Sequence, residues 1–149
     1  MKFYAFRIQD SSAKELLEEL KIGRLHQGWG YDAALNLREE QTSRKDKGAR
    51  KNFPIKNRVQ KGDFLFIINM PDKKHVTLAI ATKDFLKGYM YDERSLEGHD
   101  LGHIFPAKYL AEIPKDKFPS RVFACRRRFF APKQHLDELN RLIVEYYKF

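Results

Sequence analysis

The sequence predicts an α+β domain in which a small mixed sheet or barrel is flanked by helices. Three observations carry this. Strand-like runs follow one another through the middle of the chain, amphipathic helical patterns sit near its two ends, and no linker or internal repeat divides it. At 149 residues, 42% of them apolar, one domain can build a full core.

Lys2 to Ile8 alternates in polarity and carries Phe3, Tyr4 and Phe6, the pattern of a first strand. A helix follows. Ser12 and Glu15 stand three apart as a capping box, and Ala13, Leu16, Leu17 and Leu20 share one face. Gly23 should end it, and Arg24 to Gln27 forms a short extended piece leading into Gly28-Trp29-Gly30-Tyr31. Asp32 to Leu37 has room for a helical turn or two. Arg38 to Lys51 has almost no apolar content, so a mobile basic loop is expected over 38–52. Phe53 to Gln60 resumes a partly apolar pattern without declaring an element, and Lys61-Gly62-Asp63 reads as a turn.

Phe64 to Asn69 is a nearly unbroken apolar run, the mark of a central strand buried on both faces. Met70 to Lys74 connects it to a strand over His75 to Thr82, and Phe85 to Tyr91 reads as a continuation or a third strand. Glu97 to Asp100 is loop-like. Ile104 to Ile113 returns to the sheet, with Pro106 expected near an edge or bulge. Val122 to Phe130, including Cys125, reads as a last strand. Pro132 suits the first turn of a final helix whose face is Leu136, Leu139, Leu142, Ile143 and Tyr146.

No apolar run approaches the roughly 20 residues of a membrane helix, and the N-terminus lacks a signal-peptide layout. A lone cysteine fits a reducing compartment. These features predict a soluble cytoplasmic protein with no membrane partner. The formal net charge of +9 is concentrated. Nine basic and three acidic residues lie between Arg38 and Lys61, and four arginines with no acid lie between Arg121 and Arg128. Clustered charge of this kind is the footprint of a polyanion binder, here nucleic acid.

Aromatic residues at turns and strand ends give that charge a possible complement. Trp29, the one tryptophan, lies between two glycines that permit close backbone approach. Its ring reads equally as ligand-facing or as core packing. Tyr31, Tyr89 and Tyr91 hold similar positions, while Phe53 and Phe105 read as core. Stacking on such a ring is worth roughly 1–3 kcal/mol per base, and Asp32, Asn36 and Asn69 are the nearby polar groups able to test a base edge. In a strand, Arg126 and Arg128 would share one face and Arg127 the other. The first two would then clamp a phosphate backbone or pair with Glu138 or Glu145.

His99-Asp100-Leu101-Gly102-His103 raises a metal site, although Gly98 and Gly102 argue against the helix that would align the rings. A structural turn, or a phosphate contact by His103, is the preferred reading. No nucleophile elbow, phosphate-binding glycine loop, dinucleotide fingerprint or cysteine–metal spacing is present, so neither catalysis nor a cofactor is expected. A small metal-dependent nuclease or hydrolase using His99, Asp100 and His103 is the alternative. A third reading docks a partner on the terminal aromatics Tyr146, Tyr147 and Phe149, which otherwise pack back on the sheet.

In the order of its parts the chain resembles the EVE and YTH-like branch of the PUA superfamily. An opening strand, Lys2 to Ile8, precedes the Gly28-Trp29-Gly30 turn. A basic segment leads to Lys61-Gly62-Asp63, the apolar strand Phe64 to Asn69, the turn Met70-Pro71-Asp72 and the strand Val76 to Ala81. The resemblance spans about three quarters of the chain through short motifs. The chain departs from the family in its basic insertion between Leu37 and Phe53, and at Ile67-Ile68.

The resemblance implies a PUA-like pseudo-barrel and a reader of DNA or RNA. A flipped, methylated or otherwise modified base would enter an aromatic-lined pocket of Trp29, Tyr31, Asp32 and Asn69. Arg44, Lys45, Lys47, Arg50, Lys51, Lys56, Arg58, Arg126 and Arg128 would hold phosphates. It also implies an effector partner, a nuclease or an ATPase, as in modification-dependent restriction.

Overall fold

The structure, a computed structural model, describes residues 2–8, 12–28, 36–38, 51–92 and 101–147. Among the described residues it is a mixed α+β fold in which a curled seven-stranded sheet makes a half-barrel with four helices around it. In chain order the elements are β1 (Phe3–Arg7), α1 (Ala13–Lys21), β2 (Arg24–Gln27), α2 (Phe53–Arg58), β3 (Phe64–Ile68) and β4 (His75–Ala81). Then come α3 (Phe85–Gly88), β5 (Met90–Tyr91), β6 (His103–Pro114), a 3-10 turn (Lys115–Lys117), β7 (Phe129–Phe130) and α4 (Leu136–Tyr146). No helix among the described residues is long and apolar enough to cross a membrane.

The strand order is β2-β6-β4-β3-β1-β7, with β5 paired to β6. The pair β1–β3 is parallel and the other pairings are antiparallel. Central β3 is buried at every position, which accounts for its apolar run. Side-chain alternation sends Leu65 and Ile67 to one face, where they join Tyr4, Phe6, Phe105, the α1 leucines, Ile55 of α2 and Phe85 of α3. Phe64 and Phe66 go to the other face and meet Val76, Leu78, Ile113, Phe118 and the α4 residues Leu139, Leu142 and Ile143. Tyr147 closes edge-on against Phe64, so the tyrosine past the end of α4 packs on the sheet.

The Lys61-Gly62-Asp63 turn has a physical reason for its residues. Gly62 takes a φ of +91°, which side chains rarely adopt. Buried Asp63 accepts the backbone N–H groups of Lys2 and Gln60 at 3.1 and 2.8 Å, tying the start of β1 to the entry of β3. Gly23 plays the same conformational part after α1, with φ +94°.

Several expectations are corrected. Phe53–Arg58 is a helix, with Pro54 in its first turn where the missing N–H costs least. Phe85 to Tyr91 is a turn of helix before the two-residue β5, because Gly88 lets the chain fold against Pro106. Pro106 does not mark a bulge. It sits where β6 exchanges its partner β2 for β4, and the irregularity lies further on, opposite Leu78 and Ala79.

The final strand shrinks to Phe129–Phe130, leaving Cys125 exposed and outside any strand. Around Phe123 and Cys125 the chain is tethered by a side chain. The guanidinium of Arg7 donates to the carbonyls of Phe123 and Cys125. The last helix begins at Leu136, four residues beyond Pro132, where Asp137 and Glu138 complement its dipole.

Candidate nucleic-acid interface

Where α2 meets the segment before β7, an open hollow of about 400 Å³ is lined by Lys51, Pro54, Arg58, Arg126, Arg127, Arg128 and Phe129. Five of these seven residues are cationic, and no acidic side chain among the described residues joins them. Their like-signed fields add, which favours a polyanion.

Each wall is held from below. The Phe129 ring stacks on Tyr4 with centroids 5.0 Å apart and planes inclined by 19°. The Arg58 guanidinium lies 5.5 Å from the Tyr4 centroid and 5.7 Å from that of Phe129, a cation–π arrangement that restrains its fork. The backbone N–H of Arg7 donates to the Arg128 carbonyl at 2.8 Å, so the β1 edge and the Arg7 side chain together place the arginine run.

Arg128 joins this surface to the end of β2. Its Nη2 approaches Gln27 Oε1 at 3.3 Å and Asn52 Oδ1 at 3.5 Å. The Asn52 amide in turn donates to the Gly28 carbonyl at 3.0 Å. The residue just before Trp29 is thus tied to the start of α2 and the arginine segment. Gln27 is 2% exposed, and its Nε2 is buried without a hydrogen-bond partner among the described residues.

Of the expected phosphate ligands, Lys51, Arg58, Arg126 and Arg128 are brought together here. Lys56 is not. It is buried, and its ammonium donates to the Leu37 carbonyl at 3.1 Å, because it shares the inward side of α2 with Ile55. Arg127 does line the hollow, although strand alternation would have turned it away. Glu145 pairs with Lys117.

Asn69 lies elsewhere, at the exit of β3 with φ +64°, and its Oδ1 accepts from Lys115 at 2.6 Å. It lines a different hollow with Lys14, Glu15 and Asp72. Asn36 accepts the Arg38 N–H at 3.0 Å. Trp29, Tyr31, Asp32, Arg44, Lys45, Lys47 and Arg50 lie outside the described residues, as do most of the expected basic loop, the helical turns over 32–37, and Phe149.

His99 and Asp100 also lie outside them. His103 is fully buried beside Tyr89 and Tyr91, which removes it from any surface contact with phosphate. Among the described residues, no three His, Cys, Asp or Glu side chains gather as a metal site would require. Phe105 is core, as its position implied, and Phe53 packs against the same core.

The sequence reading missed Gln27, Asn52, Arg127 and Phe129. One signal was available: a polar residue closing a strand just before Gly-Trp-Gly. No protein family matches this chain, and no curated protein matches it.

Proposed function

We propose that this chain is a non-catalytic nucleic-acid reader, which binds phosphates at the cationic hollow and accepts a flipped, modified base beside it. The observation that carries this reading is the grouping of Lys51, Arg58, Arg126, Arg127 and Arg128 around one open hollow. Arginine forks suit phosphate oxygens, and a wall formed by the Phe129 ring adds an apolar surface beside them. The tie from Asn52 to Gly28 anchors the chain one residue before the sole tryptophan.

The curled mixed sheet, with parallel β1 and β3 at its middle, is compatible with a PUA-like pseudo-barrel of the EVE and YTH-like kind. In that reading Trp29 and Tyr31 stack the extruded base, and Asp32 tests its edge. Extrusion costs a few kcal/mol, which stacking at about 1–3 kcal/mol per base helps to offset. An effector nuclease or ATPase would act on the bound nucleic acid, the reader itself doing no chemistry.

The test is a binding panel of short DNA and RNA strands and duplexes with and without methylated bases, read by fluorescence anisotropy for wild type and Trp29→Ala. The expected result is a loss on Trp29→Ala confined mainly to modified strands. Equal losses on modified and plain strands would remove base reading from the proposal.

A further inference from the structure

Phosphate oxygens ask a site only for donors, yet the cationic hollow includes Phe129 and Pro54 beside its five cationic residues. Pro54 is exposed and Phe129 half-buried, so both present apolar surface there. The ring is firmly placed. It lies opposite Phe6 in the β1–β7 pairing, with its centroid 5.0 Å from that of buried Tyr4 and 5.1 Å from that of buried Phe6. The guanidinium of Arg58, an exposed residue at the end of α2, lies 5.7 Å from the same ring. Two flat groups therefore border the hollow together.

A double helix would leave this apolar surface idle. Its bases stack on one another and offer only their edges in the grooves, so phosphates alone would meet the hollow. In a single strand the base faces are open, and each base is joined to its own phosphate. Aromatic rings and arginine planes stack such bases, while cations track the backbone beside them. The volume of about 400 Å³ lies within the range of roughly 300–1,000 Å³ for sites that take a small molecule, which gives room for one nucleotide unit.

We infer that the hollow is a single-strand nucleotide subsite, in which Lys51, Arg126 and Arg127 hold phosphate and the attached base stacks on Phe129 beside Pro54 and Arg58. This deepens the reader proposal and rests on its phosphate half, while needing nothing of Trp29. Every base has a π-face, so the subsite takes any base and holds the strand without reading its sequence.

The experiment measures wild type, Phe129→Leu and Phe129→Tyr on three DNA probes over a range of salt. These are a short run of thymidines, a fully abasic strand of the same length, and the thymidine run annealed to its complement. The two single strands carry the same phosphates, so the ratio of their affinities reports the bases alone. Phe129→Leu keeps an apolar side chain against the core but removes the ring, and Phe129→Tyr keeps the ring. A thymidine run carrying one 5-iodouracil, irradiated on wild type and mapped by mass spectrometry, gives a reading that needs no variant.

The expected wild-type ratio is about tenfold in favour of the thymidine strand. It should fall close to one in Phe129→Leu and persist in Phe129→Tyr, with the salt slope and the duplex affinity unchanged in both. The crosslink should map to Phe129. A wild-type ratio near one overturns the inference and leaves phosphate binding standing. A ratio that survives in folded Phe129→Leu overturns it too, as does equal weakening on the duplex or a crosslink confined to other residues. Wild type that binds none of the three probes sinks the phosphate reading itself.

Discussion

The hydroxyl of Tyr89 lies 2.6 Å from Nδ1 of His103, with both side chains buried. The same hydroxyl accepts the backbone N–H of Leu37 at 3.1 Å. Leu37 donates to the hydroxyl, and the hydroxyl shares a second hydrogen bond with Nδ1 whose direction follows the His103 tautomer. The network ties the Leu37 segment to β6 and to the residue before β5. Tyr89→Phe keeps the tilted ring contacts with His103 and Phe105 but removes the hydroxyl that Leu37 N–H and His103 Nδ1 share. We expect a loss of about 1–3 kcal/mol for each buried group stranded this way, read from urea unfolding. An unchanged midpoint would show that the network contributes nothing.

Burial raises the Tyr89 hydroxyl above its ordinary value of 10.0, by more than the Leu37 N–H lowers it. Burial likewise raises Tyr109, with Glu112 adding in the same direction. A raised folded value means that the stability is fully present below the unfolded value near pH 10 and is lost as pH climbs toward the folded one. The melting temperature should therefore fall above about pH 10. Because lysines titrate there too, the decisive comparison is with Tyr89→Phe, whose alkaline decline should be shallower than wild type. Parallel declines would show that Tyr89 ionisation is not coupled to unfolding.

These buried contacts also show what a sequence can display. The strand over Phe64–Ile68 was legible because both of its faces are buried, which forces apolar residues at every position. Helix α1 was legible through four inward positions at helical spacing. Helix α2 was not, since six residues give little more than one turn and its inward side holds Ile55 with a lysine. Val122 to Phe130 has strand-like composition, but only Phe129–Phe130 pairs with β1, and further back the Arg7 side chain takes the carbonyls of Phe123 and Cys125. In the candidate site, charge clustering pointed to Lys51, Arg58, Arg126 and Arg128. It could not tell them from Lys56, whose burial depends on where Leu37 lies.

Gly88 is constrained by a neighbour. A Cβ there would stand 2.4 Å from Cγ of Pro106 and 3.1 Å from its Cδ. The proline ring cannot swing aside as a long side chain would, and it sits where β6 changes partners, so relief requires backbone movement. Gly88→Ala should cost about 1–3 kcal/mol, the range for overpacking a tight site. Thermal unfolding of the variant checks this, and an unchanged midpoint would mean that α3 is free to shift. Gly62→Ala meets no atom within 4 Å, so any loss there would report its φ of +91° alone.

The cationic hollow makes a quantitative claim about salt. If Lys51, Arg58, Arg126, Arg127 and Arg128 neutralise phosphates, binding releases counterions, and log affinity falls linearly with log salt. Each lost contact should reduce that slope by about 0.9 on duplex DNA or about 0.7 on a single strand. Arg126→Gln and Arg127→Gln are the cleanest probes, since both side chains are exposed and their removal leaves the core intact. Lys56→Gln is the control, because it removes a charge from α2, the helix that carries Arg58, but from inside the fold. It should lower stability through the lost Leu37 contact while leaving the slope unchanged. Slopes that fall equally for Lys56, Arg126 and Arg127 would mean that binding reports net charge, and the hollow would have no particular claim to the phosphates.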